Sequence, residues 1–365
     1  MDEKRNSTTK IRLTCTIIFI VFTYLYLSCY QEDILAVAQH ELSEGMTTYN
    51  YWLSPILITL TLALLQVGVF TITRVKKTFH ALTYFPSLLV LAVITDIPCN
   101  FDTHHSLGIW AWLLPALLLV FVGIIYVVRQ LEPYENFGRG GLWFSRQAWL
   151  NLSQMLVMML MVILIGNGHQ VFHERMKMER LMKEGKYSEA LQVGEKDIET
   201  DSSMTFLRVA CLHKTKQMGD LLFTYSLVGG SKAMFLDSLT TKALLWKAPN
   251  WMVDGKVSKV KYILPQEYKL CGLLMDKKLD EFVCEILKKG KLNVTSLPKH
   301  YCEALMLYTH RRSHPKIVYR NAVMEADFRD FQAMERKYSN LMERKTALYE
   351  TYGNTYWYYF LYGMK

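Results

Sequence analysis

The sequence predicts an all-α membrane protein, in which a bundle of five transmembrane helices precedes a helical domain of stacked helix pairs. Of the 365 residues, 51% are hydrophobic, and in the first half they are concentrated in five stretches that carry almost no charge. From residue 169 onward, apolar residues recur at helical spacing, and no stretch shows the sustained apolar–polar alternation of a half-buried β-strand. The chain is also too apolar to be disordered.

Each of the five stretches is long enough to cross a bilayer. A helix rises about 1.5 Å per residue, so about 20 apolar residues cross a hydrocarbon core of about 30 Å. Aromatic residues such as Trp52, Trp110 and Trp149 lie near the ends of the stretches, where lipid headgroups are expected. The predicted transmembrane domain covers residues 13–168, with spans at about 13–30, 53–73, 81–98, 109–128 and 149–166.

The charges of the short connecting segments predict an orientation. Lys and Arg lie in the tail 1–12 and in the loops after the second and fourth spans, whereas segments 31–51 and 99–107 hold five acids and no Lys or Arg. Positive charge concentrates in cytoplasmic loops, so the tail 1–12 is predicted to be cytoplasmic. Five crossings then place residues 169–365 outside the cytoplasm, which is the periplasm for a bacterial inner membrane.

The net charge of +9 lies wholly in the second part of the chain. Residues 1–168 contain ten basic and ten acidic side chains, so the remaining 32 basic and 23 acidic side chains follow. These cations are spread along the sequence, whereas a nucleic-acid-binding face is expected to cluster them. We therefore predict no nucleic-acid partner. The seven cysteines show no CxxC spacing, and those of the second part sit among apolar neighbours, which favours buried thiols.

The segment 181–191, with Gly185, Tyr187 and Ala190, resembles the centre of a tetratricopeptide repeat. In such a repeat a glycine ends the first helix, an aromatic residue packs in the turn, and a small residue lets the second helix approach closely. Weaker helix pairs are predicted at 207–216 with 219–223 and at 268–275 with 279–289, followed by a helix from residue 298. The resemblance implies an irregular tetratricopeptide-like α-solenoid over residues 169–365, whose concave surface binds a protein or peptide partner.

Two further segments extend the resemblance to most of the chain. Together with the five spans, residues 297–305 and 352–359 resemble a family of uncharacterised membrane proteins of Bacteroidetes-type bacteria. The resemblance implies an inner-membrane location and carries no established activity. The aromatic final helix is predicted to cap the domain core, with docking to the membrane interface or to a partner as the alternative. The segment 246–265 interrupts the helical pattern, and we leave open whether it is a functional insertion or a linker.

One loop concentrates potential ligands, at the predicted outer mouth of the bundle. It contains Asp96, Asp102, His104 and His105, and Asp96 is the only acid near the interior of a span. The loop lacks the ligand spacing of a tetrahedral metal site, and His169 and His173 lack the glutamate of a zinc-protease helix. We therefore assign no metal, no cofactor and no catalytic residue.

Two functions fit these observations. The first is a membrane-anchored, non-catalytic interaction or scaffold protein that presents its tetratricopeptide-like domain to the periplasm, since a repeat pattern occurs without a chemical motif. The second is a polytopic membrane enzyme or transporter that acts on an envelope lipid or glycan, with the four polar residues of the outer mouth at its centre.

Overall fold

The computed structural model describes residues 2–75, 77–99, 108–131, 146–237, 240–253, 264–288 and 297–363. Within these ranges the protein is all-α, with sixteen α-helices, and its only β-structure is two isolated bridges. The chain forms two compact units, Met1–His173 and Glu174–Lys365.

Among its described residues, the N-terminal unit contains five helices that are long and apolar enough to cross a membrane, which agrees with the predicted number. They are Thr9–Tyr30, Leu53–Thr73, Thr78–Thr95, Trp110–Gln130 and Arg146–Ile165. The third is 67% buried over its most apolar stretch, whereas the other four are 17% to 28% buried there. The third span therefore lies inside the bundle and the others expose apolar side chains, as lipid contact requires. The protein is a multi-pass membrane protein whose helices contact the bilayer.

The helices of this unit do not all follow the predicted bounds. The first span consists of the part of α1 (Asp2–Leu25) from Thr9 onward and a π-helical turn, Tyr26–Tyr30. The segment 31–51, expected to be a loop, forms helix α2 (Glu32–Leu42), because the apolar residues after Asp33 are buried. The remaining helices are α3 (Leu53–Thr73), α4 (Phe85–Thr95), α5 (Trp110–Leu131) and α6 (Arg146–Ile165).

The third span begins as a 3₁₀ stretch, Lys77–Tyr84, and becomes α-helical only at Phe85. Pro86 marks the change, since proline fits the first turn of an α-helix but donates no backbone hydrogen bond. The buried amide of Asn151 on α6 supports the 3₁₀ stretch: its Oδ1 accepts from the Ala81 N–H at 2.7 Å, and its Nδ2 donates to the Thr78 carbonyl at 3.0 Å. The helix ends at Thr95, earlier than the predicted residue 98, because the position before Pro98 disfavours helical backbone.

Helix α7 (Gln170–Lys183) crosses the division between the units, and the C-terminal unit continues with nine α-helices within its described residues. They are α8 (Tyr187–Gln192), α9 (Ser202–Thr215), α10 (Met218–Leu221), α11 (Gln266–Met275), α12 (Leu279–Leu287), α13 (Lys299–Arg311), α14 (Ala322–Lys337), α15 (Leu341–Tyr352) and α16 (Tyr356–Tyr362). Helices thus occur at each predicted pair, which confirms a helical C-terminal region. Their arrangement as a tetratricopeptide-like solenoid stays a prediction.

The core of the C-terminal unit is rich in aromatic side chains. Phe206, Phe282 and Phe331 are fully buried, and Tyr356 and Trp357 of the last helix are buried among them. Cys211, Cys271 and Cys302 are buried as expected from their apolar neighbours, whereas Cys284 is only half-buried. In the segment 246–265, Trp246 and Met252 join this core, whereas residues 254–263 lie outside the described ranges.

Candidate functional site

The structure describes only one of the four polar residues predicted at the mouth of the bundle. Asp96 follows the end of α4 and accepts a hydrogen bond from the indole Nε1 of Trp110 at 2.7 Å. Asp102, His104 and His105 lie outside the described residues. Among the described residues, no three His, Cys, Asp or Glu side chains come together in a way that could hold a metal ion.

A set of polar side chains lies near Asp96, which we call the bundle-end cluster: Tyr26, Gln31, Thr95, Asn167 and His173. The Gln31 amide donates to the Tyr26 hydroxyl at 3.1 Å and to the Asn167 carbonyl at 3.2 Å. The Tyr26 hydroxyl donates in turn to Thr95 at 3.4 Å. The Asn167 N–H donates to the carbonyl of Thr95, so the cluster links the ends of the first, third and fifth spans.

His173 completes the cluster as a neutral ring. Its Nε2 lies 2.8 Å from the Asn167 carbonyl, and because a carbonyl can only accept, Nε2 carries the proton. Burial lowers the pKa of His173 below its usual value. The ring also packs against Tyr30, with the ring centres 4.8 Å apart. These contacts place Nε2 of His173 on the Asn167 carbonyl and one face of its ring against Tyr30.

Two features of the bundle-end cluster are uncommon at the end of a transmembrane helix. Tyr26 lies on the π-helical turn, a local widening that often occurs at functional positions. Gln31 is fully buried, yet its Oε1 has no hydrogen-bond partner among the described residues. A buried acceptor without a partner costs about 1–3 kcal/mol, so this atom is a natural point of contact for a water molecule or a ligand.

The close approach of Gly166 to Tyr26 leads to a testable prediction. A Cβ at residue 166 would lie 2.1 Å from the Tyr26 hydroxyl and 3.1 Å from Thr95 Oγ1. We therefore expect Gly166→Ala to displace the Tyr26 hydroxyl and to destabilise the bundle by about 1–3 kcal/mol. Thermal unfolding of the full chain in detergent measures this loss. Gly168→Ala is the control, because its Cβ meets the Tyr30 hydroxyl at an ordinary 3.5 Å; equal stability of the two variants would contradict the prediction.

The three residues predicted to define a repeat occupy the expected places in the helical hairpin. Helix α7 ends at Lys183, Gly185 adopts a left-handed φ of +78°, and α8 begins at Tyr187. Ala190 is fully buried and Tyr187 is half-buried against the core. These residues shape the turn, and none of them lines the cavity between the segment after α10 and the helices α15 and α16.

That cavity, which we call the tyrosine pocket, has a volume of about 310 Å³. One wall is the segment after α10, and the other is formed by α15, α16 and the residues that follow each of them. Six aromatic side chains, together with small polar and aliphatic residues, line it: Ile198, Phe223, Thr224, Tyr225, Ser226, Leu227, Met342, Lys345, Thr346, Tyr349, Gly353, Tyr358, Tyr359, Tyr362 and Gly363.

Two glycines allow the tyrosine rings to lie where they do. A Cβ at residue 353 would lie 2.4 Å from the Tyr349 carbonyl oxygen and 2.9 Å from its ring, and a Cβ at residue 363 would meet Tyr359 at 2.5 Å and 2.7 Å in the same way. The sequence signal is a repeated Tyr-x-x-Tyr-Gly, ten residues apart, at 349–353 and 359–363. This repeat marks one wall of the pocket, although no site was predicted there.

Replacing Gly353 tests this account of the pocket wall. We expect Gly353→Ala to lower the stability of the C-terminal unit by about 1–3 kcal/mol, because the added methyl group meets backbone as well as ring. Hydrogen exchange of the full chain at α15 and α16 measures the effect. In the control Gly272→Ala, the new Cβ meets its neighbours no closer than 3.4 Å, so little change is expected. Native protection of α15 in Gly353→Ala would contradict the prediction.

Several phenol groups of the pocket are already bonded to the protein. Burial raises the pKa of Tyr358 and of Tyr359 to about 12. The Tyr359 hydroxyl donates to the Met275 carbonyl at 2.9 Å, and the Tyr362 hydroxyl donates to Glu335 at 2.9 Å. The pocket therefore presents mainly ring surface, with Lys345 as the only charged side chain among its lining residues.

A buried pair on α13 holds α16, the helix that carries three of the five tyrosines of the pocket. The backbone N–H of Phe223 donates to Nε2 of His300 at 3.2 Å, so the His300 proton lies on Nδ1 and is donated to Glu303 Oε2 at 2.8 Å. The same Oε2 accepts from the Tyr356 N–H at 2.7 Å, at the start of α16. The two segments that carry the family resemblance, 297–305 and 352–359, thus meet in one hydrogen-bond network behind the pocket.

Comparison with known proteins gives one match. Residues 261–363 match a family of unknown function (DUF6057). No curated protein and no solved structure shows significant similarity to the chain. The matched residues include both segments of the predicted resemblance and the α15–α16 wall of the tyrosine pocket.

Proposed function

We propose that this multi-pass membrane protein is a non-catalytic interaction or scaffold protein, which binds a protein or peptide partner in the tyrosine pocket of its C-terminal unit. The main support for the proposal is the tyrosine pocket, which is a largely apolar cavity next to exposed apolar side chains. Its 310 Å³ fall at the lower end of the roughly 300–1,000 Å³ typical of ligand pockets. The proposal includes the irregular tetratricopeptide-like arrangement of the helix pairs, which the α7–α8 hairpin at Gly185 supports.

The proposal further places the C-terminal unit in the periplasm of a bacterial inner membrane. Five spans and the positive charge of the N-terminal tail and of the loops after the second and fourth spans support this orientation. Fusions of alkaline phosphatase and of a cytoplasmic fluorescent protein to the C-terminus test it. Phosphatase activity with a dark fluorescent fusion is expected, and the reverse pattern would overturn the orientation.

Partner binding is tested with a charge placed at the pocket rim. Met342 is 73% exposed and lines the pocket, whereas Val323 on α14 is 74% exposed and does not. We expect Met342→Glu to lose a partner that co-purifies stoichiometrically with the wild type from gently solubilised membranes, and Val323→Glu to retain it. Recovery of no partner, or retention of the partner by Met342→Glu, would overturn the proposed function.

The bundle-end cluster favours a second candidate function, that of a membrane enzyme or transporter acting on an envelope lipid or glycan. The π-helical turn and the buried, unpartnered Oε1 of Gln31 support it, together with Asp96 and the neighbouring Asp102, His104 and His105 of the sequence. Alanine variants of Gln31 and of these four residues, expressed in a deletion strain, test it. Loss of complementation at normal protein levels is expected for this function, and full complementation by all five would overturn it.

A further inference from the structure

We propose that the tyrosine pocket recognises an acidic peptide segment, which places a large apolar side chain in the cavity and a neighbouring carboxylate against Lys345. The inference deepens the proposed function and rests on it, since it specifies the chemistry of the partner. It is drawn from the charge, the bonded state of the hydroxyl groups and the distribution of exposed apolar side chains around the pocket.

The charges of the pocket favour an anionic partner. Lys345 lies in the middle of α15, is exposed, and is the only charged residue that lines the cavity. Within the described part of the chain it forms no salt bridge, unlike Lys269 and Lys288, which pair with Glu285 at 2.6 Å and 2.9 Å. The whole net charge of +9 also lies on residues 169–365, so this part of the chain as a whole attracts anions.

The hydroxyl groups of the pocket disfavour a sugar, which would require many free hydrogen-bonding groups. Thr224 donates to the Leu221 carbonyl at 2.6 Å, Ser226 to the Asp197 carbonyl at 3.1 Å and Thr346 to the Met342 carbonyl at 3.0 Å. Tyr359 and Tyr362 are bonded to protein acceptors as described above. Most of the lining hydroxyl groups therefore already donate to the protein, and the cavity offers ring faces and aliphatic carbon.

Exposed apolar side chains concentrate at the rim of this pocket. Seven large apolar side chains are exposed in the described part of the C-terminal unit. Three of them, Ile198, Met342 and Tyr349, line the cavity, and a fourth, Leu341, directly precedes Met342 in the sequence. Such a concentration marks an interaction surface, and methionine and tyrosine are well suited to peptide binding, since methionine adapts its shape and tyrosine loses little entropy. The cavity volume suits one or two side chains and is too small for a whole helix.

The experiment is a selection from a random peptide display library on the full-length protein in lipid nanodiscs. The wild type is the target, and Met342→Glu serves to subtract peptides that bind elsewhere. We expect the pocket-dependent peptides to be enriched in Phe, Leu, Met or Trp next to Asp or Glu. For the best peptide, Lys345→Glu should weaken binding about tenfold, whereas the charge change Lys177→Glu on α7, outside the pocket, should leave binding unchanged.

The outcomes separate this inference from the proposed function. Pocket-dependent peptides without acidic enrichment, or binding that is unaffected by Lys345→Glu, would overturn the inference and leave the interaction function standing. Binding of envelope oligosaccharides instead of peptides on a glycan array, lost in Met342→Glu, would overturn the peptide class. Absence of pocket-dependent peptides together with absence of a co-purified partner would overturn both.

Discussion

Replacing Glu303 with alanine is expected to release α16 from α13 and to destabilise the C-terminal unit by about 2–6 kcal/mol. The Glu303 side chain is 2% exposed, and its Oε2 accepts from both His300 Nδ1 and the Tyr356 N–H. Alanine leaves both donors buried without an acceptor, at a cost of about 1–3 kcal/mol each. Hydrogen exchange of the full-length protein, resolved at α13 and α16, measures the loss.

Two further variants make the Glu303 result interpretable. Glu303→Gln keeps one acceptor oxygen, so it should destabilise α16 less than alanine does. Glu325→Ala removes only an exposed pair with Arg329, which contributes about 0.5 kcal/mol or less. If α16 kept its full protection in Glu303→Ala, the carboxylate would not be what holds this wall of the pocket.

Replacing Glu179 with alanine is expected to free the segment 244–246 and to destabilise the C-terminal unit by about 3 kcal/mol or more. Glu179 is fully buried on α7, and its Oε2 accepts from the N–H groups of Leu244 and Leu245, both at 2.6 Å, and of Trp246 at 3.3 Å. Without the carboxylate, these three donors lose their acceptor. Limited proteolysis between α10 and α11 measures the release, with the exposed Glu189→Ala as control; equal cleavage of the two variants would contradict the prediction.

The same residue predicts a pH dependence. Burial raises the pKa of Glu179 above its usual 4.5, against the opposing effects of Arg175 and the three backbone N–H groups. Since the folded pKa exceeds the unfolded pKa, the folded state binds this proton more tightly. The resulting stabilisation is complete below the unfolded pKa and is lost as pH rises through the folded pKa. The difference in free energy of unfolding between the wild type and Glu179→Gln should therefore shift against the wild type as pH rises above about 4.5. A difference that does not change with pH would contradict the raised pKa of Glu179.

The architecture was predictable because it depends on local patterns. Apolar runs of about 20 residues indicated the five spans, and helical spacing with Gly185 and Pro298 indicated where helices end or begin. Helix α2 was missed because its acidic start suggested a loop, although Ile34 to Ala38 form an apolar run that is buried. The helices α14 and α15 received no prediction of their own, since their apolar faces are interrupted by many charges.

The tyrosine pocket and the buried carboxylates could not be found in this way. Glu303 and Tyr356 lie 53 residues apart, and Glu179 lies 66 residues from Leu245, so no local pattern relates the donor to its acceptor. A charged residue in a helix is usually exposed, and only the fold shows that these two are buried. The repeated Tyr-x-x-Tyr-Gly can be read from the sequence. Only the fold shows how closely the first tyrosine of each copy packs against the glycine four residues later.

The support that Asn151 gives to the third span has a consequence for biosynthesis. The amide reaches the backbone of Thr78 and Ala81 from a helix made 70 residues later, so a nascent chain shorter than 151 residues lacks it. Until the fifth span leaves the ribosome and enters the bilayer, the Ala81 N–H and the Thr78 carbonyl in the third span lack the Asn151 side chain as a hydrogen-bond partner. The packing of the third span is thus completed only when the last helix of the bundle is in place.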